Sequence, residues 1–152
     1  MKLNLIYIIL GLLTVISCER DDICLDDVTP NLIIRFYDFE NQAELKSISM
    51  DSIKIEGFEV LEDYTGKTTD SLTIPLNVSD EITKFIIYED TTEETITFSY
   101  DRFDEFVSRS CGYRTIFNNI AVQENSDNWI QLIEIVNSTI NNEEKAHIYI
   151  YH

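Results

Sequence analysis

The three cysteines are the side chains whose chemistry first distinguishes this sequence. Cys18 and Cys24 flank an acidic stretch in "CERDDIC", and Cys111 lies far along the chain. A redox or metal-binding thiol pair is one interpretation. The spacing is not that of a CxxC motif, however, and no histidine lies near a cysteine in sequence. We therefore expect the cysteines to have different roles.

The two histidines, His147 and His152, limit the catalytic machinery. A Ser-His-Asp or Cys-His mechanism would need one of them, and the sequence has no GxSxG nucleophile motif. His152 is the last residue and is expected to be mobile. His147 alternates with Tyr149 and Tyr151 in "AHIYIY", which favours a surface or hydrogen-bonded strand residue over a base, and zinc is not expected.

Acidic residues could supply a carboxylate pair of the glycosidase kind, for example Asp101, Asp104 and Glu105 in "YDRFDEF". With 28 Asp and Glu residues almost any pair can be nominated, so a solvated turn is favoured. Calcium is conceivable at a second cluster, but the EF-hand spacing is absent. No Gly-rich phosphate loop occurs. We predict a non-enzymatic protein without a cofactor or a metal. The second cluster comprises Asp21, Asp22, Asp26 and Asp27.

Charge and composition restrict the partners. The chain has 28 Asp and Glu against 11 Lys and Arg, a formal charge of −17, which disfavours nucleic acid and basic docking onto anionic lipid. Its 152 residues are 44% hydrophobic, enough for one domain with a core. Four Gly and two Pro residues argue against disorder.

The first 17 residues, "MKLNLIYIILGLLTVIS", have the layout of a secretory signal, with a lysine, an apolar run and a small final Ser17. The run is shorter than the about 20 apolar residues of a membrane span, so a permanent span is the weaker interpretation. We predict a signal peptide over 1–17, an acidic tether over 18–30 and a folded domain over 31–152.

The end of this signal, "VISC" up to Cys18, resembles the lipobox of bacterial lipoproteins. The resemblance implies that the Cys18 thiol carries two acyl chains such as palmitate, that the leader is cut before it, and that the new amino group is acylated too. Each buried acyl methylene contributes roughly 0.8 kcal/mol, so two or more chains anchor stably. A plain secretory leader with a coincidental cysteine is the alternative.

The residues behind Cys18 resemble the surface-export signal of Bacteroidota lipoproteins, a basic residue followed by acids. That resemblance implies a lipid-anchored domain on the outside of the outer membrane. Without the signal, the domain would face the periplasm. The residues concerned are Glu19, Arg20, Asp21 and Asp22.

Once Cys18 is assigned to lipid, Cys24 and Cys111 form an even pair in an oxidising compartment. A disulfide between them would enclose 86 intervening residues. The chain-entropy model gives such a closure about 4.5 kcal/mol. The bond would fasten the tether to the domain, and a redox or metal pair is the alternative.

Strands are expected to position these residues, because apolar and polar residues alternate from Leu32 onward. The stretches "LIIRFYD", "SLTIPLNV" and "TITFSY" each bury one face in this interpretation. The inward residues are Leu32, Ile34, Phe36, Leu72, Ile74, Leu76, Val78, Ile96, Phe98 and Tyr100. Further strands are predicted over 83–89, 106–110, 113–117, 129–137 and 146–151.

Eight or nine short strands predict an all-β protein, an antiparallel β-sandwich of immunoglobulin-like or transthyretin-like type. A small β-barrel is the alternative. In "SIKIEGFEV" the alternation shifts phase at Gly57 and continues with Phe58 and Val60, as a β-bulge would require. Pro75 lacks an amide donor, which predicts an edge strand.

Exposed aromatic residues are the best indication of binding, since Tyr and Trp stack on sugars or anchor protein interfaces. Packing between neighbouring strands is the competing explanation. The aromatic residues that fall on predicted strands are Tyr37, Tyr88, Tyr113, Tyr149, Tyr151 and Trp129.

Three triplets, "DSI", "DSL" and "DTT", resemble the O-glycosylation triplet of Bacteroidota, an Asp followed by Ser or Thr and a small or aliphatic residue. The resemblance implies that Ser52, Ser71 and Thr91 are the acceptors.

Four longer stretches resemble an uncharacterised family of Bacteroidota, or flavobacterial, lipoproteins, the domain of unknown function numbered 6452. They are "DDIC", "TPNLIIRFYD", "SRSCGYRTIF" and "VNSTINNEEKAHIYIYH". The family implies no activity, ligand or site residue. We therefore expect a non-enzymatic, lipid-anchored envelope protein that works as an interaction or structural module. A surface glycan-binding accessory lipoprotein is the second hypothesis and a hydrolase the third.

Overall fold

The computed structural model describes Cys24 and residues 29–152. Ten strands and one 3-10 turn (η1) make up this part of the chain. They are β1 (Leu32–Tyr37), β2 (Ile48–Met50), β3 (Ser52–Ile55), η1 (Glu62–Tyr64), β4 (Lys67–Thr69), β5 (Ser71–Ile74), β6 (Ile82–Glu89), β7 (Thr92–Ser108), β8 (Gly112–Asn125), β9 (Leu132–Ile135) and β10 (Ile148–Tyr151). Within the described ranges, no helix is long and apolar enough to cross a membrane.

The described strands form two four-stranded sheets and one two-stranded sheet. The first sheet has the order β5-β1-β10-β9, the second has the order β3-β6-β7-β8, and β2 pairs with β4. The linear strand orders confirm the predicted β-sandwich over the barrel alternative. The core lies between the sheets, and its largest fully buried side chains are Phe36, Phe85, Phe98 and Phe117.

Strand pairing is antiparallel except between β1 and β10, where Ile34 lies opposite Ile148 in a parallel register. The predicted antiparallel sandwich therefore contains one parallel pair. The last strand enters the sheet between β1 and β9, and most of the chain separates it from β1. A parallel pair needs such a long connection, and a local hairpin could not supply it.

The predicted faces of β1 and β5 are confirmed. Leu32, Ile34 and Phe36 are buried on β1, and Leu72 and Ile74 are buried on β5. Leu76 is also buried as predicted, but β5 ends before Pro75, and the prediction is wrong for Val78, which is exposed. Ending the strand removes the need for an amide hydrogen at the proline.

Strand β5 is an edge strand, as predicted. The Tyr64 hydroxyl covers part of this edge. It donates to the Thr73 carbonyl at 3.0 Å and accepts from the Thr73 N–H at 2.8 Å. Edge groups that are paired in this way are not available to another strand.

The expected β-bulge at Gly57 is wrong. Strand β3 ends at Ile55, and the Phe58 N–H closes a turn on the Ile55 carbonyl. Gly57 has a φ of 83° in that turn, a left-handed conformation that glycine adopts easily. Phe58 and Val60 consequently point to solvent and do not continue the inward face.

The strands predicted over 106–110 and 113–117 belong to one long hairpin. Strand β7 is continuous from Thr92 to Ser108, so it joins "TITFSY" to the next predicted strand. Strand β8 runs on from Gly112 to Asn125. The strand predicted over 83–89 is confirmed as β6, whereas β9 and β10 are shorter than predicted.

Candidate functional site

The predicted disulfide between Cys24 and Cys111 is present, with a Cα–Cα distance of 4.8 Å. Cys111 lies in the turn between β7 and β8. A second contact follows, in which the Thr115 N–H donates to the Thr29 hydroxyl at 3.0 Å. Both contacts hold the start of the described chain against the outer strand β8.

A groove of about 710 Å³ lies on the face of the first sheet that points away from the core. Its volume falls within the usual range for small-molecule pockets, roughly 300–1,000 Å³. The floor comprises Ile33, Arg35, Tyr37, Ser71, Thr73 and Tyr149, and the wall comprises 136–137 and 143–146 from the loop between β9 and β10. Each floor residue alternates with a core residue along its strand, so its side chain points to the face away from the core.

Three tyrosines form a ladder across β1 and β10. The Tyr37 ring lies 4.8 Å from the Tyr149 ring and 5.7 Å from the Tyr151 ring, measured between centroids. Tyr37 and Tyr149 line the groove, while Tyr151 is buried beside them. Aromatic rings at these distances pack favourably. The explanation by packing between neighbouring strands is confirmed, and Tyr37 and Tyr149 also line the groove.

The tyrosine hydroxyls are in a weakly solvated environment. Burial raises the pKa of Tyr37, and the neighbouring Tyr149 raises it further. Burial together with the carboxylate of Glu134 raises the pKa of Tyr151 to about 12. The Tyr151 hydroxyl donates to Glu134 Oε2 at 2.8 Å, which favours the protonated phenol. The raised pKa values keep Tyr37 and Tyr151 uncharged at neutral pH.

Arg35 lies in the groove as a cation whose side chain is not engaged in an ion pair within the described part of the chain. Its Nε atom is buried without a hydrogen-bond partner, and among the described residues Arg35 forms no ion pair. By contrast, Glu143 is engaged, since its Oε1 accepts two hydrogen bonds from Asn31 at 2.8 and 2.9 Å. Arg35 and Lys145 balance Glu143 and Glu144 in formal charge.

His147 supports the groove from below. It is buried, and its Nδ1 accepts the Ile33 N–H at 3.0 Å. Burial lowers the pKa of His147, while the Asn142 backbone and the Glu143 charge act in the opposite direction. The expected hydrogen bonding is present, but His147 immediately precedes β10 and does not lie on a strand. Protonating Nδ1 would remove the acceptor of a buried amide.

His152 packs against the domain, which disfavours the expected mobility of this residue. Its ring packs at 5.5 Å from Trp129 and 6.0 Å from Phe36. Its backbone carbonyl accepts from the Lys46 ammonium at 2.7 Å. Trp129, expected on a strand, precedes β9 and packs against the core. It is therefore not an exposed platform for a sugar.

The carboxylates nominated for catalysis make structural contacts instead. Asp101 accepts from the Asn119 amide at 2.7 Å, and Asp104 accepts from the Thr115 hydroxyl at 2.8 Å. Glu105 pairs with Arg114 at 2.7 Å. Each contact joins β7 to β8, and successive residues of a strand point to opposite faces. No common cleft gathers the three acids.

The remaining aromatic residues lie outside the groove. Tyr88 is half-buried on β6, with the Lys54 ammonium 5.5 Å from its ring centre. Tyr113 is exposed near the turn that holds Cys111. Tyr88 packs beside a neighbouring strand, whereas Tyr113 is free of the core.

The three proposed glycan acceptors differ in exposure. Thr91 is exposed in the turn between β6 and β7, whereas Ser52 and Ser71 are half-buried in strands. The Ser71 hydroxyl also donates to the Ile34 carbonyl at 3.2 Å. Only Thr91 therefore has an unobstructed hydroxyl position.

Several predicted residues lie outside the described part of the chain. They are the lipidation residue Cys18, the export residues Glu19, Arg20, Asp21 and Asp22, and the further acids Asp26 and Asp27. In the part that the structure describes, no group of three His, Cys, Asp or Glu side chains is arranged to hold a metal ion.

Sequence reasoning missed Arg35 and the wall of the groove. Alternation along "LIIRFYD" puts Arg35 on the outward face of its strand and says nothing of what covers that face. The wall depends on how 136–146 folds over that face, which no local pattern encodes. The charged run "NNEEKAH" was the one available signal, because a polar loop between two strands has to cross the sheet surface.

A family model described as "Family of unknown function (DUF6452)" matches residues 45–152. The match includes all strands from β2 to β10 and leaves out β1. No curated protein and no solved structure matches the chain.

Proposed function

We propose that this chain, which belongs to the DUF6452 family of unknown function, is a non-enzymatic, lipid-anchored protein of the cell envelope. Its β-sandwich is a binding module, and the groove floored by Tyr37 and Tyr149 is the binding site. The anchor is the acylated Cys18 in the outer membrane, with the domain on the cell surface.

The anchor is supported by sequence and structure together. The lipobox-like "VISC" ends a signal-like leader, and the export-like "ERDD" follows it. The disulfide between Cys24 and Cys111 is the kind of bond that persists in oxidising compartments outside the cytosol. A single acyl chain would hold a protein only reversibly, so acylation at two positions of Cys18 suits a permanent envelope protein.

A neutral glycan is the ligand class that the groove favours. Its floor carries two tyrosines whose rings present apolar faces and polar edges, as sugar-stacking residues do. The hydroxyls of Ser71 and Thr73 and the uncommitted guanidinium of Arg35 provide hydrogen-bond partners for sugar hydroxyls. The four charged residues of the lining cancel in formal charge. A chain of charge −17 also repels polyanions.

The observation that carries this proposal is the half-buried pair Tyr37 and Tyr149, which lines a concave surface. A convex sheet with scattered tyrosines would have favoured a general interaction module without a defined ligand. Of the two carboxylates in the wall, Glu143 is engaged by Asn31, which leaves Glu144 without a comparable pair. This arrangement favours binding over hydrolysis.

The binding experiment uses the detergent-solubilised full chain on an array of neutral gluco-, galacto- and manno-oligosaccharides, with uronic-acid oligomers as charged counterparts. We expect neutral oligosaccharides to bind. Tyr149→Ala should weaken binding by at least about tenfold, equivalent to ~1.4 kcal/mol. Tyr113→Ala is the matched control, because it removes an exposed tyrosine outside the groove. Equal losses in both variants, or binding of uronic-acid oligomers alone, would contradict the assignment.

The anchor is tested separately on cells. Mass spectrometry of the mature N-terminal peptide should find acyl chains on Cys18, and Cys18→Ser should release the protein from the membrane fraction. Protease added to intact cells should remove the domain. Protection of the domain from protease would place it in the periplasm instead.

A further inference from the structure

The far end of the β7–β8 hairpin projects beyond the rest of its sheet. Strand β6 pairs with β7 only as far as Ser99, opposite Ile82. From Asp101 to Ser108, β7 pairs with β8 alone. Seven to eight residues of strand extend roughly 25 Å at about 3.3 Å per residue. The end of this two-stranded ribbon, residues 106–113, is called the ribbon tip below.

The ribbon tip presents two aromatic rings to solvent. Phe106 is 55% exposed and Tyr113 is 71% exposed. They lie opposite each other in the register, and their ring centres are 5.4 Å apart in an edge-to-face arrangement. Large exposed aromatic residues that contact each other mark a surface that meets a partner. Neither ring contributes to the core.

The charge of the ribbon tip differs from that of the protein. Between Glu105 and Glu124 there is no Asp or Glu, although the chain carries 28 acids. The tip itself contains the exposed Arg109. An acidic protein is repelled by an anionic surface, so the end without carboxylates approaches such a surface at the lowest electrostatic cost.

The disulfide keeps this same tip close to Cys18. Cys111 lies within the tip and is bonded to Cys24. Cys24 follows Cys18 by six positions, and six fully extended residues span at most about 22 Å. The disulfide adds a Cα–Cα distance of 4.8 Å. The ribbon tip therefore lies within a short radius of the proposed lipid anchor.

We propose that the ribbon tip inserts Phe106 and Tyr113 into the interfacial layer of the membrane that holds the acylated Cys18. This inference rests on the lipid anchor of the proposed function. Tyrosine is enriched in that layer because its ring is apolar and its hydroxyl remains hydrated. The domain then contacts the bilayer at two points, and its orientation relative to the membrane is fixed.

The test is quenching of tryptophan fluorescence by brominated lipid. The full chain is isolated in its lipidated form and reconstituted into vesicles of phosphatidylethanolamine and phosphatidylglycerol, with or without bromine on the acyl chains. Tyr113→Trp reports on the tip, and Thr91→Trp is the matched control. Thr91 is an exposed position at the opposite end of the 17-residue β7. The native Trp129 contributes the same background to both variants.

We expect Tyr113→Trp to emit less in brominated than in unbrominated vesicles, while Thr91→Trp emits equally in both. Phe106→Trp repeats the measurement on the other ring in case the first variant folds poorly. Mass spectrometry of each preparation establishes whether Cys18 is acylated. If brominated lipid quenches the acylated tip variants no more than the acylated control, the insertion is overturned and the anchor is unaffected. Absence of acylation overturns the anchor, and the insertion with it.

Discussion

The carboxylate of Glu94 accepts a hydrogen bond from the backbone N–H of Trp129 at 3.0 Å. The same oxygen accepts the Asn128 N–H at 2.8 Å, and the other oxygen accepts the Ser126 hydroxyl. Glu94 is completely buried, yet no cation pairs with it among the described residues. Hydrogen bonds from backbone amides therefore replace those that the Glu94 carboxylate would make with water. They also fix the segment that places the Trp129 ring beside Phe36.

Glu94→Gln is expected to destabilise the protein by about 1.5–3 kcal/mol, the usual contribution of hydrogen bonds to charged groups. The amide oxygen can replace only one of the two carboxylate oxygens, so the NH2 group would face either the backbone N–H donors or the Ser126 hydroxyl. Urea denaturation measures the change, with the slope of the transition unaltered. Glu93→Gln is the matched control, because Glu93 is the exposed neighbour. Similar midpoints for the two variants would show that the buried carboxylate is not needed.

His147 predicts a loss of stability in mild acid. Its pKa in the folded protein lies below the ordinary value of 6.5 because of burial. The unfolded chain therefore binds a proton that the folded chain does not. The contribution of neutral His147 to the free energy of unfolding is fully present above pH 6.5. It is lost as the pH falls from 6.5 towards the pKa of the folded state. The midpoints of urea denaturation at pH 7.5 and pH 5.5 measure this dependence of stability on pH.

Two substitutions of His147 separate titration from hydrogen bonding. His147→Asn retains an acceptor for the Ile33 N–H and does not titrate, so the acid loss should become smaller. His147→Leu should be less stable at both pH values by about 1–3 kcal/mol, because it leaves a buried amide unpaired. A pH dependence that is unchanged in both variants would assign the acid sensitivity to other groups.

The disulfide predicts a second stability effect. Cys24 and Cys111 are separated by 87 positions, and removing such a closure costs at most about 4.5 kcal/mol in the chain-entropy model. The double variant Cys24→Ser with Cys111→Ser should keep the sandwich core, because neither residue belongs to it. Its unfolding midpoint should equal that of the reduced wild type. A midpoint insensitive to reductant would mean that the bond does not form in solution.

The sequence predicted the features that depend on alternation. On β1, Leu32, Ile34 and Phe36 follow a period of two and bury the expected face. The disulfide followed from counting, since assigning Cys18 to lipid left a single pair. Both arguments need only local composition or a short set of alternatives.

The features that were not predicted depend on contacts between distant segments. The groove exists because the loop before β10 folds over Arg35 and Tyr149, which are outward residues on neighbouring strands. Alternation gives the side of the sheet but not what lies above it. Phe106 shows the same limit, since its strand continues past the neighbouring β6 and leaves an apolar side chain exposed.

The three triplets that resemble glycosylation signals differ in exposure, and this difference predicts which of them is glycosylated. Thr91 sits in an exposed two-residue turn, while Ser71 is held in β5 by its hydrogen bond to the Ile34 carbonyl. A transferase that acts on the folded protein reaches a hydroxyl in a turn more easily than one within a paired strand. Intact mass spectrometry of the protein from its native cells should therefore find a glycan that Thr91→Val removes. Ser71→Ala is the matched control and should retain the glycan mass. If Ser71→Ala alone removes it, modification precedes folding, and exposure in the folded state does not select the site.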